Sequence, residues 1–235
     1  MSASTTPTLS LEHDGFAVVE DVTDLDDIGV IHQAIENCLH RDDVKTRELG
    51  ERGGAPQIIE IARPCLLAEE IPRSLFFRNA KAFSENYFEH EVVYHFDHAI
   101  IKPPMNQRET AWHQDSAYSH RLNFAGQRLH WWLPLHDVSV EQGCIRFVRG
   151  SHKIGQLRHV SVGATSDAIR TLLPDDAEVV ACPLKAGSAT VHLPATLHST
   201  GPNATERPRF AFILQFARSN WTHRLPLRRS GGHTF

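Results

Sequence analysis

Trp112-His113-Gln114-Asp115 places an imidazole and a carboxylate two residues apart. On a β-strand, residues i and i+2 point to the same side, so His113 and Asp115 can hold one ion together. Two histidines and one carboxylate on one face of a metal, with the remaining positions open, are the ligand set of non-haem iron(II) oxygenases. The second histidine must come from a later strand. Histidine is abundant, at 16 of 235 residues. That abundance favours a metal or acid–base site, but it also makes a chance His-x-Asp pair ordinary. The chain holds another such pair, His95-Phe96-Asp97, which reads as a strand whose polar residues alternate with Tyr94 and Phe96.

Context separates the two pairs. Downstream stands Leu197-His198-Ser199-Thr200-Gly201-Pro202-Asn203, and eleven residues past His198 comes Arg209, which opens the strongly β run Arg209-Phe-Ala-Phe-Ile-Leu-Gln-Phe216. A turn at Gly201-Pro202-Asn203 is expected to bring Arg209 back alongside His198 on a neighbouring strand. A cation beside open metal positions suits a dicarboxylate co-substrate, because arginine grips a carboxylate with two parallel hydrogen bonds. An ordinary ion pair at a strand start is the other reading of Arg209.

The elements that must position these groups follow from periodicity. A short helix over 9–13 precedes Gly15 and a strand at 16–19. Residues 24–40 carry Leu25, Ile28, Ile31, Ile35 and Leu39 at helical spacing, with acidic residues in the first turn. Residues 47–56 read as a polar, Gly-rich loop, and a second helical region runs over 66–88, kinked at Pro72. From there short β runs follow at 92–101, 111–115, 128–135, 144–148, 178–183, 188–193 and 209–217, punctuated by glycines and prolines. Helices first and strands afterwards predict an α+β, mainly β domain, a sandwich or barrel with helices packed against one side. One domain is expected over 1–235, with a mostly helical part (1–90), a β core carrying the metal site (91–217) and a C-terminal tail (218–235).

Composition excludes several classes. The net charge of −4 argues against general nucleic-acid binding, which needs a basic footprint. The chain has no apolar run near the length of a membrane span and no secretory pattern at its N-terminus, so a cytoplasmic protein is expected. Cys38, Cys65, Cys144 and Cys182 are widely spaced and read as reduced core residues, neither a zinc knuckle nor a disulfide frame. Asn203-Ala-Thr205 and Asn220-Trp-Thr222 match glycosylation sequons, which carry no weight without a secretory route.

Taken in order, Trp112-His113-Gln114-Asp115, Trp132-Leu-Pro-Leu-His136-Asp137, Glu141-Gln-Gly143-Cys144-Ile-Arg-Phe-Val-Arg-Gly150-Ser151-His152 and the His198 to Arg209 segment resemble the phytanoyl-CoA dioxygenase family. Its members are iron(II)- and 2-oxoglutarate-dependent oxygenases built on a double-stranded β-helix of jelly-roll, cupin-like type. The resemblance covers about residues 9–217. It implies His113, Asp115 and His198 as iron ligands, with no catalytic residue beyond them. It implies Arg209 on the distal carboxylate of 2-oxoglutarate, Thr200 supporting the same co-substrate, and Trp132, Gln114 and His98 lining its pocket. Gln57 is a candidate for a further polar group there. The chain departs from the family at Arg149, Gln142 and His136, all in a structural turn. Halogenating relatives replace the carboxylate ligand by Gly or Ala. Asp115 is present, so the resemblance implies hydroxylation or a related oxidation.

The reaction so implied consumes O2 and 2-oxoglutarate, releases succinate and carbon dioxide, and oxidises an unactivated C–H bond of a small-molecule substrate, with no nucleic-acid or membrane partner. Tyr118 and Arg121 follow the metal-binding strand and are candidates for the entrance. Arg146 interrupts an apolar strand and either points inward to anchor an acidic substrate or lies on the surface in an ion pair. His136 and His152 read as structural. Trp131 and Trp132 face opposite ways on their strand. A cupin-like metal oxygenase or isomerase without 2-oxoglutarate, and an inactive binding or sensor domain, are the competing readings.

Overall fold

The computed structural model describes residues 6–49, 58–118, 127–162 and 168–219. Helix α1 (Pro7–Asp14) starts on a proline, as the first helical position favours, and ends at Gly15, whose φ of +87° reverses the chain into β1 (Phe16–Val19). Helix α2 (Leu25–Leu39) is capped by Asp24, whose side chain accepts from the Asp27 N–H at 2.8 Å. Its apolar stripe Ile28, Ile31 and Ile35 is buried.

The helical region expected over 66–88 is three helices: α3 (Pro64–Leu67), α4 (Glu70–Arg73) and α5 (Leu75–Phe88). The break falls at Ser74, which leaves the helical conformation and caps α5 through the Phe77 N–H. Strands β2 (Thr46–Leu49) and β3 (Ile58–Ala62) pair antiparallel, so the expected loop over 47–56 begins as a strand. Gln57 lies outside the described residues.

The remaining strands are β4 (Val92–Lys102), β5 (Thr110–His113), β6 (Arg128–Pro134), β7 (Ile145–Val148), β8 (Val160–Ser161), β9 (Ile169–Arg170), β10 (Val179–Cys182), β11 (Ala189–His192), β12 (His198–Thr200) and β13 (Arg209–Arg218). They form a seven-stranded sheet in the order β1-β11-β6-β13-β4-β3-β2 and a four-stranded sheet in the order β10-β7-β12-β5, with a small β8–β9 ribbon. The pairings are antiparallel. The N-terminal part thus supplies both edges of the large sheet as well as helices.

Alternation along each strand divides the core in two. On the outer face Trp131 meets Phe76 and Phe83 edge-on, with ring centres 6.1 and 5.1 Å apart, and α5 packs there. On the inner face Trp132, Ala211 and Ile213 join Ile145 and Phe147 of the small sheet in a second cluster. Phe16 of the large sheet stacks on Phe147 of the small one at 4.4 Å. The two sheets therefore pack face to face, and the inner face of the large sheet looks onto β12 and β5. The four cysteines are buried and free.

Candidate metal centre

His113 ends β5 and His198 begins β12, and the antiparallel register sets them directly opposite each other. Their ring centres are 4.2 Å apart. Each ring is oriented the same way: Nδ1 bonds the backbone carbonyl two residues earlier, His113 to Ala111 at 2.8 Å and His198 to Thr196 at 2.9 Å. That occupies Nδ1 and turns Nε2, the nitrogen left for a metal, toward Asp115. Asp115 opens a 3-10 turn (Asp115–Tyr118). Its oxygens lie 3.4 Å from His113 Nε2 and 3.7 Å from His198 Nε2. Two ligands about 2.1 Å from one ion and at right angles lie about 3 Å apart, so these separations leave an ion room.

Electrostatics suit a cation. Burial alone would raise the Asp115 carboxyl, but the imidazoles gathered around it, with His130 Nδ1–H donating to it, hold it well below the usual range. Burial, together with His113, holds His198 well below its ordinary value, so it is a neutral imidazole, the form a metal requires.

A second group touches the same carboxylate. His130 on β6 and His192 on β11 are opposite each other in register, and both are almost fully buried. His130 Nδ1 lies 2.6 Å and His192 Nε2 3.5 Å from Asp115 Oδ2. Although these three could also surround an ion, 2.6 Å is a hydrogen bond and leaves no space for one. Burial lowers His130 to about 4, so it meets Asp115 as a neutral ring donating Nδ1–H.

Arg209 reaches the site from the other sheet. It is 1% exposed, and none of its three guanidinium nitrogens has a hydrogen-bond partner among the described residues. Its guanidinium lies 5.7 Å from the centre of the Trp132 ring. The expectation that Arg209 runs beside His198 on a neighbouring strand is corrected: β12 belongs to the small sheet and β13 to the large one. The segment between them crosses over, pinned by Lys102, opposite Arg209 in register. Its Nζ lies within hydrogen-bond distance of the carbonyls of Thr200, Gly201 and Arg108, at 3.2, 2.5 and 3.2 Å. Thr200 is buried and donates to Thr110 Oγ1 at 2.9 Å. His98 lies in one row across the large sheet with Ile213 and Trp132, and its Nδ1 bonds Glu60 at 2.6 Å.

One expected role is corrected and one open reading is decided. Gln114 does not line this pocket. It alternates away from His113 and Asp115, and its amide bonds Gly155 O, Ala195 O and the Leu157 N–H at 2.9, 2.8 and 2.8 Å, tying together the loops behind the site. Arg146 does not point inward. Ile145 and Phe147 take the inner face, so Arg146 lies outside, over Trp112, bonded to Ser199 and paired with Glu109 at 2.8 Å.

Tyr118 stands half-exposed with its ring edge-on to His113 at 6.0 Å. Arg121 lies outside the described residues. Of the second His-x-Asp pair, Asp97 bonds the Cys65 N–H at the start of α3 and the Tyr94 hydroxyl. His95 meets Arg128 at 3.1 Å. Neither joins a metal-capable group among the described residues. His136 accepts the Phe210 N–H and His152 bonds Glu12 O. Sequence reasoning missed His130 and His192. The available signal was alternation: each falls two residues from an inward position, Trp132 and Thr190.

The phytanoyl-CoA dioxygenase (PhyH) family model matches residues 11–211. Phytanoyl-CoA dioxygenase domain-containing protein 1 of Bos taurus is 28% identical over 132 residues, 52% of this chain and 45% of that protein, so the match spans less than half of the bovine relative. A probable alpha-ketoglutarate-dependent hypophosphite dioxygenase of Stutzerimonas stutzeri is 26% identical over 213 residues, 87% of this chain and 71% of that one. Among solved structures, EvdO2 from Micromonospora carbonacea var. aurantiaca complexed with 2-oxoglutarate superposes with a TM-score of 0.75 at 26% identity, covering 93% of this chain and 92% of that chain. With the metal-capable triad set between two antiparallel sheets, these matches show that the chain belongs to the phytanoyl-CoA dioxygenase family of iron- and 2-oxoglutarate-dependent dioxygenases.

Proposed function

We propose that this chain hydroxylates an unactivated C–H bond of a small metabolite, with His113, Asp115 and His198 as the iron(II) ligands. The single observation that carries the use of 2-oxoglutarate at this site is Arg209. A fully buried guanidinium with no partner among the described residues is costly unless an anion completes it. The distal carboxylate of a dicarboxylate, gripped by two parallel N–H groups, does so. A metal oxygenase or isomerase working without 2-oxoglutarate would leave that charge uncompensated.

Each side chain has a physical task. His113 and His198 present their Nε2 atoms from paired strands, and Asp115 completes the ligand set. Arg209 and Thr200 hold the co-substrate, Trp132 gives it a flat wall, and His98, held by Glu60, borders the same inner row. Bound iron(II) supplies the redox chemistry by which oxygen and 2-oxoglutarate become succinate and carbon dioxide while a C–H bond is oxidised. The protein contributes placement of one C–H bond near the metal. Tyr118 stands on the open side of His113 and is assigned to the entrance. Asp115 occupies the position that a halide needs, which favours hydroxylation over halogenation.

The fold is read as one double-stranded β-helix domain over the chain, supported by the two facing antiparallel sheets. A relative named for the oxidation of hypophosphite agrees with a small substrate. The test is succinate release from 2-oxoglutarate with iron(II) and ascorbate across a panel of small metabolites. Substrate-dependent succinate with an oxygenated product supports the reading; succinate with no oxygenated product from any of them counts against hydroxylation.

A further inference from the structure

Asp115 opens a 3-10 turn, outside any strand. Its backbone is pinned, since the next residue's N–H bonds Pro194 O at 2.9 Å. The terminal torsion of a carboxylate is broad and soft, however, so the backbone does not decide which oxygen faces the metal. Two groups on the large sheet do. His130 and His192 both approach the same oxygen, Oδ2, at 2.6 and 3.5 Å, inside the 3.7 Å that separates it from His198 Nε2, while Oδ1 lies 3.4 Å from His113 Nε2. The β6–β11 register that sets His130 opposite His192 places both rings on that one atom.

We propose that His130, backed by His192, is the positioning residue that holds Asp115 to a single metal–oxygen bond, by occupying Oδ2 with its Nδ1–H and leaving Oδ1 to the ion. This rests on Asp115 being an iron ligand. The consequence concerns the open positions. Two imidazoles and one carboxylate oxygen leave an octahedral ion three places. 2-Oxoglutarate, binding through two oxygens, and O2 need all of them. A carboxylate free to turn and bind through both oxygens takes one away. His130 therefore acts through Asp115 and touches neither co-substrate nor substrate.

The test compares His130→Gln with His130→Asn. The asparagine amide places an N–H close to where Nδ1 stands, whereas the longer glutamine amide reaches toward the Nε2 position, so the two differ in geometry and little in polarity. Purified metal-free protein is titrated anaerobically with cobalt(II), followed by its visible absorption, and then with 2-oxoglutarate. His130→Gln is expected to bind cobalt about 10–100-fold more weakly, the usual cost of losing a group that orients a metal ligand, and to lose affinity for 2-oxoglutarate. His130→Asn is expected to restore both. Melting curves of the metal-free variants alongside wild type show that each is folded. Cobalt and 2-oxoglutarate affinities unchanged in His130→Gln overturn the proposal, as does an equal loss in both variants. Uptake of two cobalt ions per wild-type chain overturns it as well, because His130 and His192 would then be ligands themselves. A wild-type chain that takes up no cobalt overturns the ligand assignment, and this role with it.

Discussion

Replacing Arg209 by methionine should make the ligand-free protein more stable, the reverse of the usual effect of a core substitution. Burial pulls the Arg209 guanidinium down to about 10 from its ordinary 12.5. A depressed cation is disfavoured in the folded state at every pH below that value, so at neutral pH the cost is present in full. A fall of that size corresponds to about 3 kcal/mol. The contact with Trp132 returns about 1 kcal/mol of this to the wild type. Imperfect packing of the new side chain takes back up to about another 1 kcal/mol. The variant should gain about 1–2 kcal/mol, a rise in Tm of about 2–8 °C for a domain of this size. The response to ligand should invert. With manganese(II) in place of iron and 2-oxoglutarate at a hundredfold its Kd, wild type gains about 2.7 kcal/mol, whereas Arg209→Met gains nothing. Differential scanning fluorimetry with and without 2-oxoglutarate reads both effects. A variant that melts below wild type without ligand and still responds to 2-oxoglutarate refutes the reasoning, because Arg209 would then be a satisfied core residue.

Other outcomes follow from the same geometry. Gln114→Ala strands the Leu157 N–H and the Gly155 and Ala195 carbonyls; stability in urea should drop by about 2–4 kcal/mol while the KM for 2-oxoglutarate holds. Arg146→Ala removes a part-exposed pair on the outer face; the substrate KM should not move, and stability should change by about 1 kcal/mol or less. Burial would raise the Glu60 carboxyl, but His98 and Arg47 hold it below its ordinary value. Its contribution is therefore intact above the ordinary carboxylate range and fades as pH falls through the lowered value. Glu60→Gln should flatten the acid limb of the stability curve measured by urea midpoints.

Much of the site is legible because local rules carry it. His113 and Asp115 fall two apart, although the strand expected over 111–115 ends at His113 and Asp115 stands in the following 3-10 turn; Trp132 and Trp131 part to opposite faces, and β1 has its expected ends. What failed depended on distant pairing. A turn near Gly201 suggests a hairpin that sets Arg209 beside His198, yet the chain changes sheets there, held by Lys102 from a strand about a hundred residues earlier in sequence. Arg146 could be read either way until Phe147 was seen against His198 and Phe16. His130 and His192 carry no motif. Only the register of β6 against β11 puts them on one oxygen of Asp115. Gln114 was assigned by its neighbours in sequence, and alternation sends it to the other side.

The central claim is that His113, Asp115 and His198 hold the iron that turns 2-oxoglutarate into succinate. The most direct measurement is iron-dependent succinate formation in wild type, His113→Ala and His95→Ala side by side, with bound iron quantified in each. Wild type and His95→Ala should hold one iron per chain and release succinate, and His113→Ala should do neither. Iron and succinate lost in His95→Ala but kept in His113→Ala would contradict the account.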